Sequence, residues 1–176
     1  DDQFDRNAVL LRGSDAKLSI ALPDGSDSSR FPGRSLGWRF IDGDDFHPPA
    51  NVEKMRAGTP LNDDDRAPWL ERLNAVLRHS LAKNEPIVLA CSALKARYRA
   101  QLAERLPGLQ FAHLRGSQEL IAARLAERRH KYMPASLLRS QFEALEPPDG
   151  AWAIDIDQPL DAVVEALAGR IGATTP

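Results

Sequence analysis

Residues 86–106 read Pro-Ile-Val-Leu-Ala-Cys-Ser-Ala-Leu-Lys-Ala-Arg-Tyr-Arg-Ala-Gln-Leu-Ala-Glu-Arg-Leu. The run Pro86 to Cys91 is apolar without alternation, as in a strand buried on both faces. A turn of small residues follows, and Leu94, Tyr98, Leu102 and Leu106 then recur at helical spacing. Pro107-Gly108 stops the helix, and Leu109 to Leu114 begins the next apolar run. Strand, helix and strand joined by short connections are the unit of a mostly parallel sheet covered by helices.

The same alternation extends outward. Upstream, Trp38-Arg39-Phe40-Ile41 reads as a strand ending at Asp42, and Trp69, Leu70, Leu73, Val76, Leu77 and Leu81 mark a helix with Asp64 or Asp65 as N-cap. Downstream, Leu120, Ile121 and Leu125 fall on one helix, and Leu137, Leu138, Phe142 and Leu145 on another that Pro147-Pro148 stops. Trp152 to Ile156 is a last strand, and Leu160, Val163, Val164, Leu167 and Ile171 line a closing helix. With Ala8-Val9-Leu10-Leu11 the pattern predicts an α/β fold: a doubly wound, five-stranded parallel sheet with helices on both faces and right-handed crossovers. Its strands begin near Ala8, Trp38, Pro86, Gln110 and Trp152. Residues 1–176 form a single domain in this reading, without repeats. Residues 1–35 stand apart as an irregular segment: Gly13 to Ser35 has no sustained period and holds six serines, three glycines and two prolines.

Composition narrows the function. A net charge of -2 argues against a nucleic-acid binder, which needs a basic surface. One cysteine excludes an internal disulfide framework and suits a reducing cytoplasm. No apolar run reaches the roughly 18 residues of a membrane span, and the acidic start Asp1-Asp2-Gln3-Phe4-Asp5 is unlike a signal peptide. The expectation is a cytoplasmic protein.

Residues 40–65 carry the densest chemistry. Asp42, Asp44 and Asp45 lie just past the carboxyl end of a predicted strand, where open α/β sheets place ligands. Close carboxylates repel unless a cation or substrate hydroxyls satisfy them, and Mg2+ shared with nucleotide phosphate would do so; a solvated acidic turn is the alternative. His47, Asn51 and Lys54 share a helical face and offer donors for hydroxyls and a cation for a carboxylate, although a polar helix end reads the same way. The acidic run from Asn62 to Asp65 suits a helix N-cap better than a metal. Ser92, Lys95 and Arg99 follow the buried strand, where backbone N–H groups and two cations could meet an anion, or where the cations could simply face water. Arg124, Arg128, Arg129, His130 and Lys131 form a basic patch that suits either a lid over phosphates or a helix dipole.

In order and spacing these segments resemble the gluconokinases, small kinases of the same broad fold as shikimate and nucleoside-monophosphate kinases. The resemblance runs from about Leu36 to Ile171 and rests on Asp42-Gly43-Asp44 with His47-Pro48, Asn51 with Glu53-Lys54-Met55, and Pro60 to Arg66 with Pro68-Trp69-Leu70. It continues in Cys91 to Lys95 with Tyr98-Arg99, Ser140-Gln141-Phe142 with Leu145-Glu146, and Asp155 to Leu160. It implies phosphoryl transfer from ATP to the terminal hydroxyl of D-gluconate, with Asp44 as base or orienter and Asp42 nearer Mg2+. His47, Asn51, Lys54, Ser92, Lys95 and Arg99 would surround the sugar acid. Arg124 and Arg128, in an arginine-rich lid over residues 124–134, and Gln158 with Pro159 would hold the nucleotide. The implied partners are gluconate and ATP, with neither nucleic acid nor membrane, and the assembly a homodimer. A gluconate-binding pseudokinase and a kinase for another polyol acid such as shikimate are the alternatives.

One departure stands out. The family opens with a strand, then Gly-x-x-x-x-Gly-Lys-[Ser/Thr], then a helix. Counted back from Leu36-Gly37-Trp38, that loop belongs near residues 17–26, which read Lys-Leu-Ser-Ile-Ala-Leu-Pro-Asp-Gly-Ser. Gly33-Arg34-Ser35 echoes only its end, with Ser28 where the first glycine belongs.

Overall fold

The structure, a computed structural model, describes residues 7–11, 39–127 and 135–173. At its centre Ile87, Leu89 and Cys91 are buried on one face of a strand and Val88 on the other, the period-2 outcome of an unbroken apolar run. Along the chain the elements are β1 (Asn7–Leu11), β2 (Arg39–Asp42), α1 (Pro49–Arg56), α2 (Asp63–Ala82), β3 (Ile87–Cys91) and α3 (Ala96–Ala103). Then come β4 (Leu109–Arg115), α4 (Gln118–Glu127), α5 (Ala135–Ala144), β5 (Trp152–Asp155) and α6 (Leu160–Ala173).

Helices cover both faces. On one, Trp69, Leu73 and Leu77 of α2 and Tyr98 and Leu102 of α3 pack with Ile41, Ile87, Leu89 and Cys91. On the other, Ile121 of α4, Leu138 of α5 and Val163 and Leu167 of α6 pack with Val88, Ala112 and Ile154. Among the described residues no helix is long and apolar enough to cross a membrane.

The sheet corrects one expectation. Strand order is β2-β3-β1-β4-β5, and the parallel pairing is confined to β2 with β3 and β4 with β5. β1 runs antiparallel to both central neighbours: Asn7 lies opposite Cys91 and His113, Leu11 opposite Ile87 and Leu109. The sheet is therefore not five strands in parallel. A strand of continuous apolar residues has no polar face to set its direction, and parallel pairing needs a crossover of a dozen or more residues, usually a helix. The sequence between Leu11 and Leu36 has no helical period to supply one. β2, β3, β4 and β5 still run one way, so their carboxyl ends meet at one edge.

Two helix ends differ from the pattern. The N-cap of α2 is Asn62, ahead of Asp64 and Asp65: Asn62 Oδ1 accepts from the Asp65 N–H at 2.8 Å and Asp65 Oδ2 from the Asn62 N–H at 3.0 Å, a reciprocal capping box. α3 stops at Ala103, before Leu106. Asn74 of α2 donates to the carbonyls of Gln101, Leu102 and Glu104 at 3.3, 2.9 and 3.0 Å, which satisfies groups that a helix C-terminus leaves open.

Candidate active site

The turn after β2 sits against β3. Gly43 is buried, and a Cβ there would meet the Ala90 carbonyl oxygen at 2.8 Å and Cys91 Cβ at 2.9 Å. Glycine is needed here for close approach, not for a left-handed φ. Asp42 Oδ1 accepts from the Asp44 N–H at 3.0 Å and caps the short 3-10 turn Gly43–Phe46. Trp69, fully buried, donates its indole N–H to the Gly43 carbonyl at 2.7 Å. It also stacks on the His47 ring at 4.4 Å between centroids and 11° between planes.

His47 and Asn51 meet as their spacing predicts. Asn51 Nδ2 lies 2.8 Å from the Asp65 carbonyl oxygen and 3.4 Å from His47 Nδ1. An atom facing a carbonyl must be the amide NH2, which can only donate. His47 Nδ1 is therefore the acceptor, and in the neutral ring the proton sits on Nε2, 3.8 Å from Asp44 Oδ1. Lys54 is committed nearby: its Nζ is 2.6 Å from Asp65 Oδ1. That contact, then the capping N–H of Asn62, holds the Asp65 carboxyl below its usual range.

A second group lies around a cavity of about 210 Å³, lined by Pro60, Asn62, Asp63, Arg66, Leu94, Lys95, Tyr98, Ser140 and Gln141 among others. Asp63 is its node. Its carboxylate accepts from the Tyr98 hydroxyl, from Lys95 Nζ at 3.1 Å and from Arg97. The Tyr98 hydrogen bond first, then Lys95, lowers the Asp63 pKa to about 2 against the opposing effect of burial. The Tyr98 hydroxyl is pushed up by burial and by donating to a carboxylate. Ser92 Oγ accepts from the Arg66 guanidinium at 3.2 Å.

Not every expected residue joins this cavity. Lys95 lines it and Ser92 borders it through Arg66, while Asp42, Asp44, His47, Asn51 and Lys54 form the neighbouring group, joined to it through Asp65 and Arg66. Arg99 is 8% exposed, and its Nη1 donates to the carbonyls of Ala93 and Leu94 at 2.9 Å each, so it pins the turn beneath. The start of α3, read as open to an anion, receives the protein's own carboxylate: Glu146 Oε2 accepts from the Ala96 N–H at 2.6 Å.

Of the residues expected to hold the nucleotide, Gln158 donates its Nε2 to the Asp155 carbonyl at 2.6 Å, and the Asp157 N–H donates to Asp155 Oδ1 at 2.8 Å, which shapes the turn from β5 to Pro159 at the start of α6. Arg124 belongs to α4; its side chain and Arg128 lie outside the described residues, as do positions 17–26 and most of the lid.

Sequence reading passed over Arg66, Trp69, Asp63 and Glu146 as site builders. A signal for Arg66 was present: it falls on the apolar stripe of Trp69, Leu70, Leu73 and Leu77, an unusual place for a charge.

No protein-family model matches the chain. It is 40% identical over 156 residues to a probable gluconokinase of Xenopus tropicalis, a match covering 78% of this chain and 82% of that protein. It is 43% identical over 129 residues to the thermoresistant gluconokinase of Escherichia coli (strain K12), covering 71% and 74%. The crystal structure of a gluconokinase from Sinorhizobium meliloti 1021 superposes with a TM-score of 0.67 at 43% identity, covering 80% of this chain and 84% of that one.

Proposed function

The chain belongs to the gluconokinase family, and from that premise we propose that it transfers the terminal phosphoryl group of ATP to the terminal hydroxyl of D-gluconate, giving 6-phosphogluconate. One observation carries the reading. The Asp42 and Asp44 turn stands at the carboxyl edge of the sheet, beside a cavity whose charged side chains, among the described residues, are two cations and one carboxylate.

In this reading Asp44 accepts the hydroxyl proton as the oxygen attacks the γ-phosphorus. The new O–P bond forms as the bond to the leaving ADP oxygen breaks, and the proton stays on Asp44. His47, with its proton on Nε2, steadies the Asp44 carboxylate. The donor set also fits Mg2+. That ion takes one or two carboxylates and shares the rest with phosphate and water, and Asp42 and Asp44 stand together in one turn at the sheet edge. Asp42 would hold it, and the ion would neutralise charge on the phosphates. His47, Asn51, Ser92 and Lys95 serve the sugar acid, with Lys54 and Arg99 bracing them, while Gln158, Pro159, Arg124 and Arg128 serve the nucleotide. The protein acts as a single-domain, cytoplasmic homodimer on small molecules.

Relatives named for the kinase activity favour catalysis over a binding-only role. The test is a coupled assay for 6-phosphogluconate beside separate calorimetric titrations with ATP and with gluconate. Product formation that requires both substrates is expected. Binding of gluconate without ATP binding or turnover would select the pseudokinase, and phosphorylation of shikimate in preference to gluconate would move the substrate.

A further inference from the structure

Arg66 projects from the second turn of α2 into the cavity and is 8% exposed. Its Nη1 donates to Ser92 Oγ at 3.2 Å, and its guanidinium lies 5.7 Å from the Tyr98 ring centroid. Among the described residues it makes no ion pair. The two nearest carboxylates are taken: Asp63 by Tyr98, Lys95 and Arg97, and Asp65 by Lys54 and the Asn62 N–H. A guanidinium stays charged wherever it is put, and burial here works against that charge. Among the described residues that line the cavity, Arg66 and Lys95 face one carboxylate, Asp63, an excess of one positive charge. A buried charge without an ionic partner is costly, so the cavity favours an anion that enters from outside.

We propose that Arg66 is the receptor for the carboxylate of the sugar acid, seated in the cavity between α2, α3 and α5. The inference deepens the gluconate reading and rests on it. The planar fork of Arg66 offers a two-point contact to a carboxylate, and the hydrogen bond to Ser92 holds the orientation of the plane. The cations expected in this role are engaged elsewhere: Lys54 with Asp65, Lys95 with Asp63, and Arg99 with two backbone carbonyls. With the acid end fixed at Arg66, the hydroxyl chain has the His47 and Asp44 side of the site to run toward, since Asn51 joins the Asp65 backbone to His47.

The experiment compares gluconate with glucitol, a neutral polyol with the same run of hydroxyls, by calorimetric titration of the whole chain. The wild type should prefer gluconate. Arg66→Met should weaken gluconate by about tenfold to a hundredfold and leave glucitol unchanged, so the preference disappears. Arg66→Lys should recover part of it, because a point charge cannot make the second parallel hydrogen bond. Thermal melting checks the fold of each variant, and if the methionine variant does not fold, the lysine variant decides. A folded variant that keeps the wild-type preference overturns the role of Arg66 and leaves the gluconate reading standing. A wild type that does not bind gluconate overturns both.

Discussion

Trp69→Phe tests whether the core and the Asp42 and Asp44 turn, proposed as catalytic, are one unit. The indole is fully buried, its N–H donates to the Gly43 carbonyl at 2.7 Å, and its face carries His47. Phenylalanine keeps most of the apolar contact but cannot donate, so the Gly43 carbonyl loses its partner inside the protein. An unsatisfied buried polar group costs about 1–3 kcal/mol. The smaller ring leaves a void worth roughly 1 kcal/mol more. The sum is about 2–4 kcal/mol, and in a protein of this size that lowers the melting temperature by roughly 5–15 °C. Urea denaturation tracked by far-UV circular dichroism should show a lower midpoint with an unchanged slope. Turnover on gluconate should fall as well, since His47 loses its platform and the turn holding Asp42 and Asp44 loses its anchor. A variant within about 0.5 kcal/mol of the wild type and with normal turnover would refute the coupling.

The geometry sets three further outcomes. Asp44→Asn should lower turnover by about a hundredfold or more while gluconate binding persists; near-normal turnover would remove Asp44 from the base role. Because the Asp63 pKa is about 2 in the fold and near 4 in an unfolded chain, its contribution to stability is complete above about pH 4 and is lost as pH falls through 2. Urea midpoints between pH 5 and 2 should therefore fall less steeply for Asp63→Asn, and superimposable profiles would show the Tyr98 and Lys95 contacts to be idle. Replacing residues 12–35 with a Gly-x-x-x-x-Gly-Lys-Ser loop and an amphipathic helix should raise ATP affinity and leave gluconate binding unchanged in a paired titration, and an unchanged ATP affinity would show that the phosphates are held elsewhere.

What the sequence showed and what it hid divide along the reach of the interactions. Strands and helices after Arg39 were legible because apolar period reports burial, and burial on two faces differs visibly from burial on one. His47 meeting Asn51 was legible for the same reason, being four residues apart. The α2 cap was legible in kind but not in position, since Asn62 to Asp65 offers four adjacent capping side chains and only the reciprocal bonds between the first and last select Asn62. The ties that decide the roles of the cations span longer distances. Glu146 reaches Ala96 across 50 positions and Tyr98 reaches Asp63 across 35, and no local period encodes such pairs. They are why Lys95 and Arg99 looked equivalent in the sequence and are not: one borders the cavity, the other is turned into the backbone.

The direction of β1 obeys the same logic and bears on the nucleotide half of the reaction. In the proposed reaction the acceptor side rests on β2, β3, α2 and α3, whose sequence patterns and pairings agree. In the proposed reaction the donor side calls for backbone N–H groups and a lysine at the carboxyl edge of the sheet. Leu11 pairs with Ile87 and Leu109 at the opposite edge, and Asn7 occupies the site edge beside Cys91 and His113. The sequence that follows β1, residues 12–35, holds neither a Gly-x-x-x-x-Gly-Lys motif nor a sustained helical period. In the proposed reading the side chains that meet the sugar acid, from Asp44 to Arg99, all lie outside that stretch.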